Sequence, residues 1–360
     1  RSLHRHMRYK VIIRAPEIPF TGIYEEWQVP VESWSFSEEL NRGTTATIKV
    51  SAAAVESVAQ SVGDTVEFML QGAYREVYIY DESSRLIYGG VVWELTTNED
   101  SQAKATYTVS CKGFESLLSK RITHKPSDSI TKVFTAQYAT SIISDLVTYT
   151  QGLGSLGLTL GSMPNDQLND RTYRFDKILT AIQKLSNDET SGGIDWEITA
   201  RKVINAYYPQ KGSQRNDIHL YRRLDGQSNI QAYDITHLST GSIVNEVIAI
   251  GQGQDLAPTS TQSDAPSQAA YLLLQDTLSE SGVITTGTLD KKATKYLELM
   301  KYPRDRITIT AHYDSIKPYN FGLGDSLRIE IERKQIDNYY RLRKRTINET
   351  GLVTLSFSEL

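Results

Sequence analysis

"VGDTVEFML" at residues 62–70 and "LGDSLRIEI" at residues 323–331 read alike: Gly-Asp, a small hydroxyl residue, then apolar residues at alternate positions. Set in register, Val66 falls on Leu327, Phe68 on Ile329 and Leu70 on Ile331. Each stretch predicts a β-strand entered through a turn. The Gly supplies the turn backbone and the Asp accepts from amides two residues on. The flanks also match. "TTATIKVS" (44–51) precedes the first stretch and "DRITITAHY" (305–313) the second. "GGVVWELTTNEDSQAKATYTVSC" (89–111) and "NYYRLRKRTINETGLVTLSFSEL" (338–360) follow as hairpins. Three features in one order predict two related β modules, against the alternative that antiparallel sheets simply share turn grammar. Two similar modules per chain allow three copies to form a ring of about six modules, with an approximately six-fold face.

The rest of the chain fits this plan. "YKVIIR" (9–14) predicts a first strand. Trp34 and Phe36 alternate with Ser33, Ser35 and Ser37, "LNRG" turns the chain, and Ala46, Ile48 and Val50 alternate with Thr45, Thr47 and Lys49. That is a hairpin with one apolar face. A helix is expected over about 52–60, then strands near 63–70, 76–81, 86–95 and 104–111. After Pro126 the period becomes helical, with Ile130, Val133, Phe134, Ile142, Ile143, Leu146 and Val147 on one stripe and Ser127 or Ser129 as N-cap. A second helix is expected over about 176–187. Strand patterns return with Trp196 and Ile198 and again at 242–253. Residues 254–269 are rich in Pro, Ser and Thr and predict a mobile loop. A third helix is expected near 289–300, and strands at 306–313, 325–332, 339–347 and 352–358. The expected class is mainly β with helical insertions, two related antiparallel β-barrel tube-like modules. Their expected bounds are 1–125 for the first module, 126–192 for a helical insert, 193–253 with 303–360 for the second module, and 254–302 for a loop-plus-helix insert.

With 360 residues, a formal charge of -4 and 23% charged residues, the chain has room for two or three domains and no basic excess for nucleic acid. The single cysteine, Cys111, excludes an intrachain disulfide and is expected as a buried strand residue. No apolar run approaches the roughly 18–20 residues of a membrane span, and the basic N-terminus lacks the apolar core of a secretory signal.

The stretches "SWSFSEELNRGTTATIKV", "GDTVEFML", "RLIYGGVVWEL", "RTYRFDKILTAIQKLSNDETSGGIDWEI", "SIVNEVIAIGQG" and "LGDSLRIEI", in this order, resemble the tailed-bacteriophage baseplate or tail hub proteins. The same fold forms the base of VgrG-type spikes and the N-terminal region of tail-associated lysins. The resemblance covers nearly the whole chain and its motifs are architectural. It implies a structural virion protein of the phage tail tip, made in the host cytoplasm. Three copies would form a homotrimer ring that adapts the six-fold distal tail or tail tube protein to a three-fold tip fibre or spike, beside the tape measure protein. DNA would pass through without specific binding. The chain ends just after its last strand, so a spike or lytic part is expected either on another chain or outside this sequence. A tail-associated cell-wall hydrolase and a carbohydrate-binding adhesion module are the alternatives.

The search for chemistry returns no catalytic, cofactor or metal residues. His4, His6, His124, His219, His237 and His312 form neither a HExxH nor a helical i, i+4 pair. There is no GxSxG elbow and no GxxxxGK[ST] loop. "GQGQDL" (251–256) follows a strand pattern but opens no helix. Glu38 and Glu39 are adjacent and point to opposite faces of a strand. Asp195 and Glu197 share a face and are expected as a solvated edge. "NET" at 348–350 is expected as a hairpin turn. "RLRKRT" (341–346) would set Arg341, Arg343 and Arg345 on one strand face, either a basic patch or a solvated outer surface. No enzyme activity and no cofactor are expected.

Overall fold

The structure is a computed structural model that describes residues 9–18, 20–71, 74–99, 105–166, 168–186, 194–253, 257–280 and 283–358. The first module runs β1 (Tyr9–Pro16), β2 (Tyr24–Gln28), β3 (Ser33–Glu39), β4 (Gly43–Ser51), helices α1 (Ala52–Val62) and α2 (Val66–Gln71), then β5 (Glu76–Asp81), β6 (Leu86–Glu99) and β7 (Ala105–Gly113). Its strands lie side by side in the order β3-β4-β7-β6-β5-β1-β2, every pair antiparallel.

The strand expected at 63–70 is helix α2. Val66, Met69 and Leu70 are buried and Phe68 is 45% exposed. Burial at i, i+3 and i+4 is helical spacing, and a short apolar run supports either period. Thr65 starts the helix, its hydroxyl accepting from the Phe68 amide at 3.1 Å. Gly63, at φ 78°, ends α1 in the left-handed cap that favours glycine.

The insert comprises β8 (Lys132–Tyr138), α3 (Ala139–Leu153), β9 (Thr159–Leu160), β10 (Leu168–Tyr173), α4 (Ile178–Gln183), β11 (Asp195–Ile198) and β12 (Val203–Tyr207). The helix expected from residue 130 starts only at Ala139. Ile130 and Val133 are exposed, while Phe134 is buried from strand β8. Neither Ser127 nor Ser129 caps α3. The Asp166 carboxylate, remote in sequence, accepts the amides of Ala139 at 2.8 Å and Thr140 at 3.1 Å. Ile142, Ile143, Leu146 and Val147 do share the buried stripe. They pack with α4, Trp196 and Ile204, and with Ile12, Tyr78 and Val91 of the first module. Strands β1 and β5 are therefore apolar on both faces, with Val11, Ile13, Val77 and Ile79 facing the main core.

The remainder runs β13 (Gln214–Arg222), β14 (Ala232–Leu238), β15 (Glu246–Ile250), β16 (Thr259–Ser263), α5 (Ala265–Tyr271), β17 (Gln275–Ser279), α6 (Thr286–Met300), β18 (Arg304–His312), α7 (Tyr313–Ile316), β19 (Ser326–Ile331), β20 (Ile336–Asn348) and β21 (Leu352–Ser358). Strands β15, β16 and β17 form their own sheet and pack on Leu289, Ala293, Tyr296 and Leu297 of α6. This differs from the division read in sequence. β15, and the β11–β12 pair, lie outside the second module's sheet, because each buries its apolar face on a neighbouring helix cluster. Residues 259–271 are ordered as β16 and α5 rather than a loop; 254–256 lie outside the described residues.

The second module's sheet order is β14-β18-β21-β20-β19-β13. Five strands repeat the first module: β14 stands for β3, β18 for β4, β21 for β7, β20 for β6 and β19 for β5, but β13 pairs parallel with β19 where β1 pairs antiparallel with β5. The repeat holds at the level of single residues. β6 bulges on β7 between Val92 and Glu94, and β20 bulges on β21 between Leu342 and Lys344. The 44–51 and 305–313 segments and the two hairpins are therefore true equivalents. The Gly-Asp stretches are not. "LGDSLRIEI" is β19, whose counterpart is β5 rather than 62–70. Residues 52–75 carry α1 and α2 where 313–325 carry the shorter α7 connection, which displaces the register.

The two modules share one 13-stranded sheet and one apolar core. The junction is β3 against β20, with Ser37 opposite Thr346 and Phe36 opposite Ile347. Among the described residues neither module closes on itself, so the separate barrels expected from sequence are arcs of a single open sheet.

Candidate functional site

The side of the shared sheet turned away from its core is lined by hydroxyl groups. One row runs Lys112–Thr45–Ser37–Thr346–Thr354–Thr310 across six strands and both modules. Beside it run Glu94–Ser110–Thr47–Ser35–Asn348, then Thr96–Thr108–Lys49–Ser33. On the other flank runs Glu39–Lys344–Ser356–Thr308–Asp234. All of these residues are exposed or half-buried. Period-two alternation puts them here, since Trp34, Phe36, Ala46, Ile48, Val109 and Leu355 occupy the intervening core positions. Ser and Thr bond water and each other, as the Thr346 hydroxyl does to Ser37 at 3.0 Å. The three lysines of these rows are matched by Glu39, Glu94 and Asp234. The rows are polar and close to neutral, and Arg306 on the same face of β18 adds one exposed cation.

"RLRKRT" contributes no basic patch. The β20 bulge falls at Arg343 and breaks the alternation. Arg341 is buried and ion-paired with Asp195, while Arg345 pairs with Glu38 and donates to the carbonyl of Phe321 at 3.1 Å. Asp195 is correspondingly no solvated edge, being 0% exposed. Glu197 pairs with Lys211 and accepts from Tyr207.

A cleft of about 210 Å³ opens beside the β3–β4 turn, lined in part by Phe36, Asn41, Tyr88, Glu115 and Trp196. Glu115 is buried, and desolvation raises its carboxyl pKa to about 7 despite the Thr44 amide it accepts at 2.6 Å. Its partner is Thr44, through both the backbone amide and the side chain. Cys111 is buried in β7, and burial pushes its thiol up to about 12.

The histidines do not converge. His124 is buried and stacked on Phe175, His219 lies 3.0 Å from Glu330, and exposed His237 lies 2.6 Å from Asp305. His312 ends β18. His4 and His6 lie outside the described residues, as do 254–256 of "GQGQDL". Glu38 and Glu39 go to different partners, Arg345 and Lys344. Asn348 of "NET" accepts from Thr350 and Leu352 in the hairpin turn. Among the described residues no three His, Cys, Asp or Glu side chains gather as a metal site. No described helix is long and apolar enough to cross a membrane.

The fold has close counterparts. The 43 kDa tail protein of prophage MuSo2 from Shewanella oneidensis superposes with a TM-score of 0.66 over 98% of both chains, at 10% identity. The chain has the fold of a phage tail protein. The tail protein from Neisseria meningitidis MC58 gives 0.64 at 15% identity, covering 98% of this chain and 96% of its own. The prophage tail protein gp18 from Listeria monocytogenes EGD-e gives 0.60 at 14% identity, covering 98% and 94%. No protein-family model matches the chain, and no curated relative matches it. At these identities what the tail proteins share with this chain is the fold.

Proposed function

We propose that this protein is a structural component of a phage tail, a hub or baseplate protein whose copies form a ring around a DNA passage. The observation that carries this reading is the duplicated module with its shared bulge. One chain supplies two equivalent arcs, so three copies would make about six, matching a six-fold tail tube or distal tail protein on one side and a three-fold spike or fibre on the other. The tape measure protein would meet the same ring. The hydroxyl face is the natural lumen. A duplex moving past it finds hydrogen-bonding groups that water already satisfies and no excess of cations that would release counterions and hold it. The location that follows is the tip of the virion. The fold of the tail proteins supports this reading. No observation favours the hydrolase or the carbohydrate-binding alternative.

Light scattering of the purified protein across concentrations, alone and with its distal tail or tube protein, tests the ring. A mass of three times 40.5 kDa is expected. A protein that stays monomeric alone and with that partner overturns it.

A further inference from the structure

Resting on the ring reading, we infer that β14 of one copy pairs antiparallel with the C-terminal half of β6 in the next, in a register fixed by the seam already present inside the chain. That internal seam joins β3 to the half of β20 beyond its bulge. Its pairs are Glu39–Lys344, Glu38–Arg345, Ser37–Thr346, Phe36–Ile347 and Ser35–Asn348. The Leu40 amide extends the seam to the carbonyl of Arg343, the bulged residue, at 2.9 Å.

Each partner in this seam has a structural equivalent whose edge is open. β3 pairs with β4 through Ser33–Lys49 to Glu39–Gly43, and β14 pairs with β18 through Ala232–Thr310 to Leu238–Arg304, the same seven-residue ladder. Ser37 therefore corresponds to Thr236 and Glu39 to Leu238. The shared bulge sets Lys344 on Glu94 and Thr346 on Thr96. Transferring the seam gives Leu238 opposite Glu94, His237 opposite Leu95, Thr236 opposite Thr96, Ile235 opposite Thr97 and Asp234 opposite Asn98. The Ser239 amide would then reach the carbonyl of bulged Trp93.

Both edges are open among the described residues. Among the described residues β14 pairs only with β18, and beyond its bulge β6 pairs only with β7. Thr97 is exposed where Ile347 is buried, and Ile235 is half-buried where Phe36 is buried. Neither segment carries the Pro or Lys that blunts a free edge. The intrachain junction uses up β3 and the end of β20. The complementary pair, β14 and the end of β6, remains at the two ends of the same arc, so a second copy is the occupant that fits both. The new seam keeps the hydroxyl row, Thr96 on Thr236, but has no counterpart to the Arg345–Glu38 ion pair.

Cysteine pairing reads this register. Thr96 and Thr236 are exposed, so Thr96→Cys with Thr236→Cys leaves the core untouched. Mild oxidation is expected to shift most of the double variant to covalent dimers and trimers on a denaturing gel, with each single variant unshifted. Ser37→Cys with Thr346→Cys, at the equivalent internal places, sets the oxidation conditions by closing within one chain. Preferential linkage of Thr96→Cys to Asp234→Cys overturns the register. Absence of any linked product overturns the seam. The solution mass separates the two readings: an unlinked trimer leaves the ring standing with another interface, and a persistent monomer removes both.

Discussion

Asp195 of β11 and Arg341 of β20 form a buried ion pair that ties the insert to the second module, and Asn41 of the first module completes it. The Asn41 amide donates to Asp195 at 2.7 Å, and its carbonyl accepts the Trp196 amide at 2.9 Å. The Lys211 amide donates to the second carboxylate oxygen at 2.6 Å. Arg341 donates also to the carbonyls of Gly324 at 3.2 Å and Lys211 at 3.1 Å. Gly324 sits at φ +91°, where an added Cβ would meet the Lys211 carbonyl at 2.5 Å. The Gly-Asp turn before β19 thus serves this junction and has no functional twin at Gly63.

Removing one partner from such a pair strands the other charge. Arg341→Ala or Asp195→Asn is expected to cost about 3–5 kcal/mol, read as a lower denaturant midpoint at unchanged slope. Replacing both partners by apolar residues is expected to recover much of that loss. If the single variants melt like the parent protein, the junction does not hold the parts together.

Glu115 makes stability depend on pH. Its folded pKa, about 7, lies above the ordinary value of 4.5, so the folded state holds a proton that the unfolded chain releases. Stability therefore falls as pH rises from about 4.5 to 7. The full effect of one such group is about 3 kcal/mol. Glu115→Gln is expected to flatten this segment of the stability curve while the carboxylates in ion pairs still titrate at lower pH. An identical pH profile in the variant would assign the dependence to another group.

Cys111 should resist thiol reagents in the native protein. The thiolate is the reactive form, and burial holds the thiol pKa at about 12 while the Cβ faces Ala46 and Val92 across the sheet. Labelling at pH 8 is expected to follow the rate of global unfolding and to accelerate in denaturant. Fast stoichiometric labelling of folded protein contradicts this packing.

Much of the sheet was legible from alternation. Trp34 and Phe36 against Ser33, Ser35 and Ser37 told core from polar face without any coordinate. What misled was a motif whose parts are locally ambiguous. Val66, Phe68 and Leu70 satisfy a strand's period, while Val66, Met69 and Leu70 satisfy a helix's, and Thr65 starts the helix by accepting from the Phe68 amide. The bulges at Trp93 and Arg343 were invisible because a strand with one extra residue keeps its composition and changes only its phase. Asp195 read as solvated because its partners, Asn41 and Arg341, are remote in sequence. The duplication was legible from the right flanks and the wrong centre.

The neutral hydroxyl face can be tested by adding the charge it lacks. Thr45, Thr47 and Thr354 are exposed or half-buried on the polar side, opposite the positions that build the core. Lysine there is expected to change stability by no more than about 0.5 kcal/mol, the usual range for surface substitutions. Its effect on DNA should be large in an assembled ring. Each new phosphate contact adds about 0.9 to the log-log salt slope of duplex binding. Thr45→Lys, Thr47→Lys and Thr354→Lys together are expected to turn a ring that does not retain duplex DNA at 150 mM salt into one that does, with release on raising the salt. The measurement is retention of labelled duplex at several salt concentrations. Tight duplex binding by the parent protein would mean that this face is a nucleic-acid site rather than a low-friction lining. A triple variant that assembles and still ignores DNA would place the passage on some other surface.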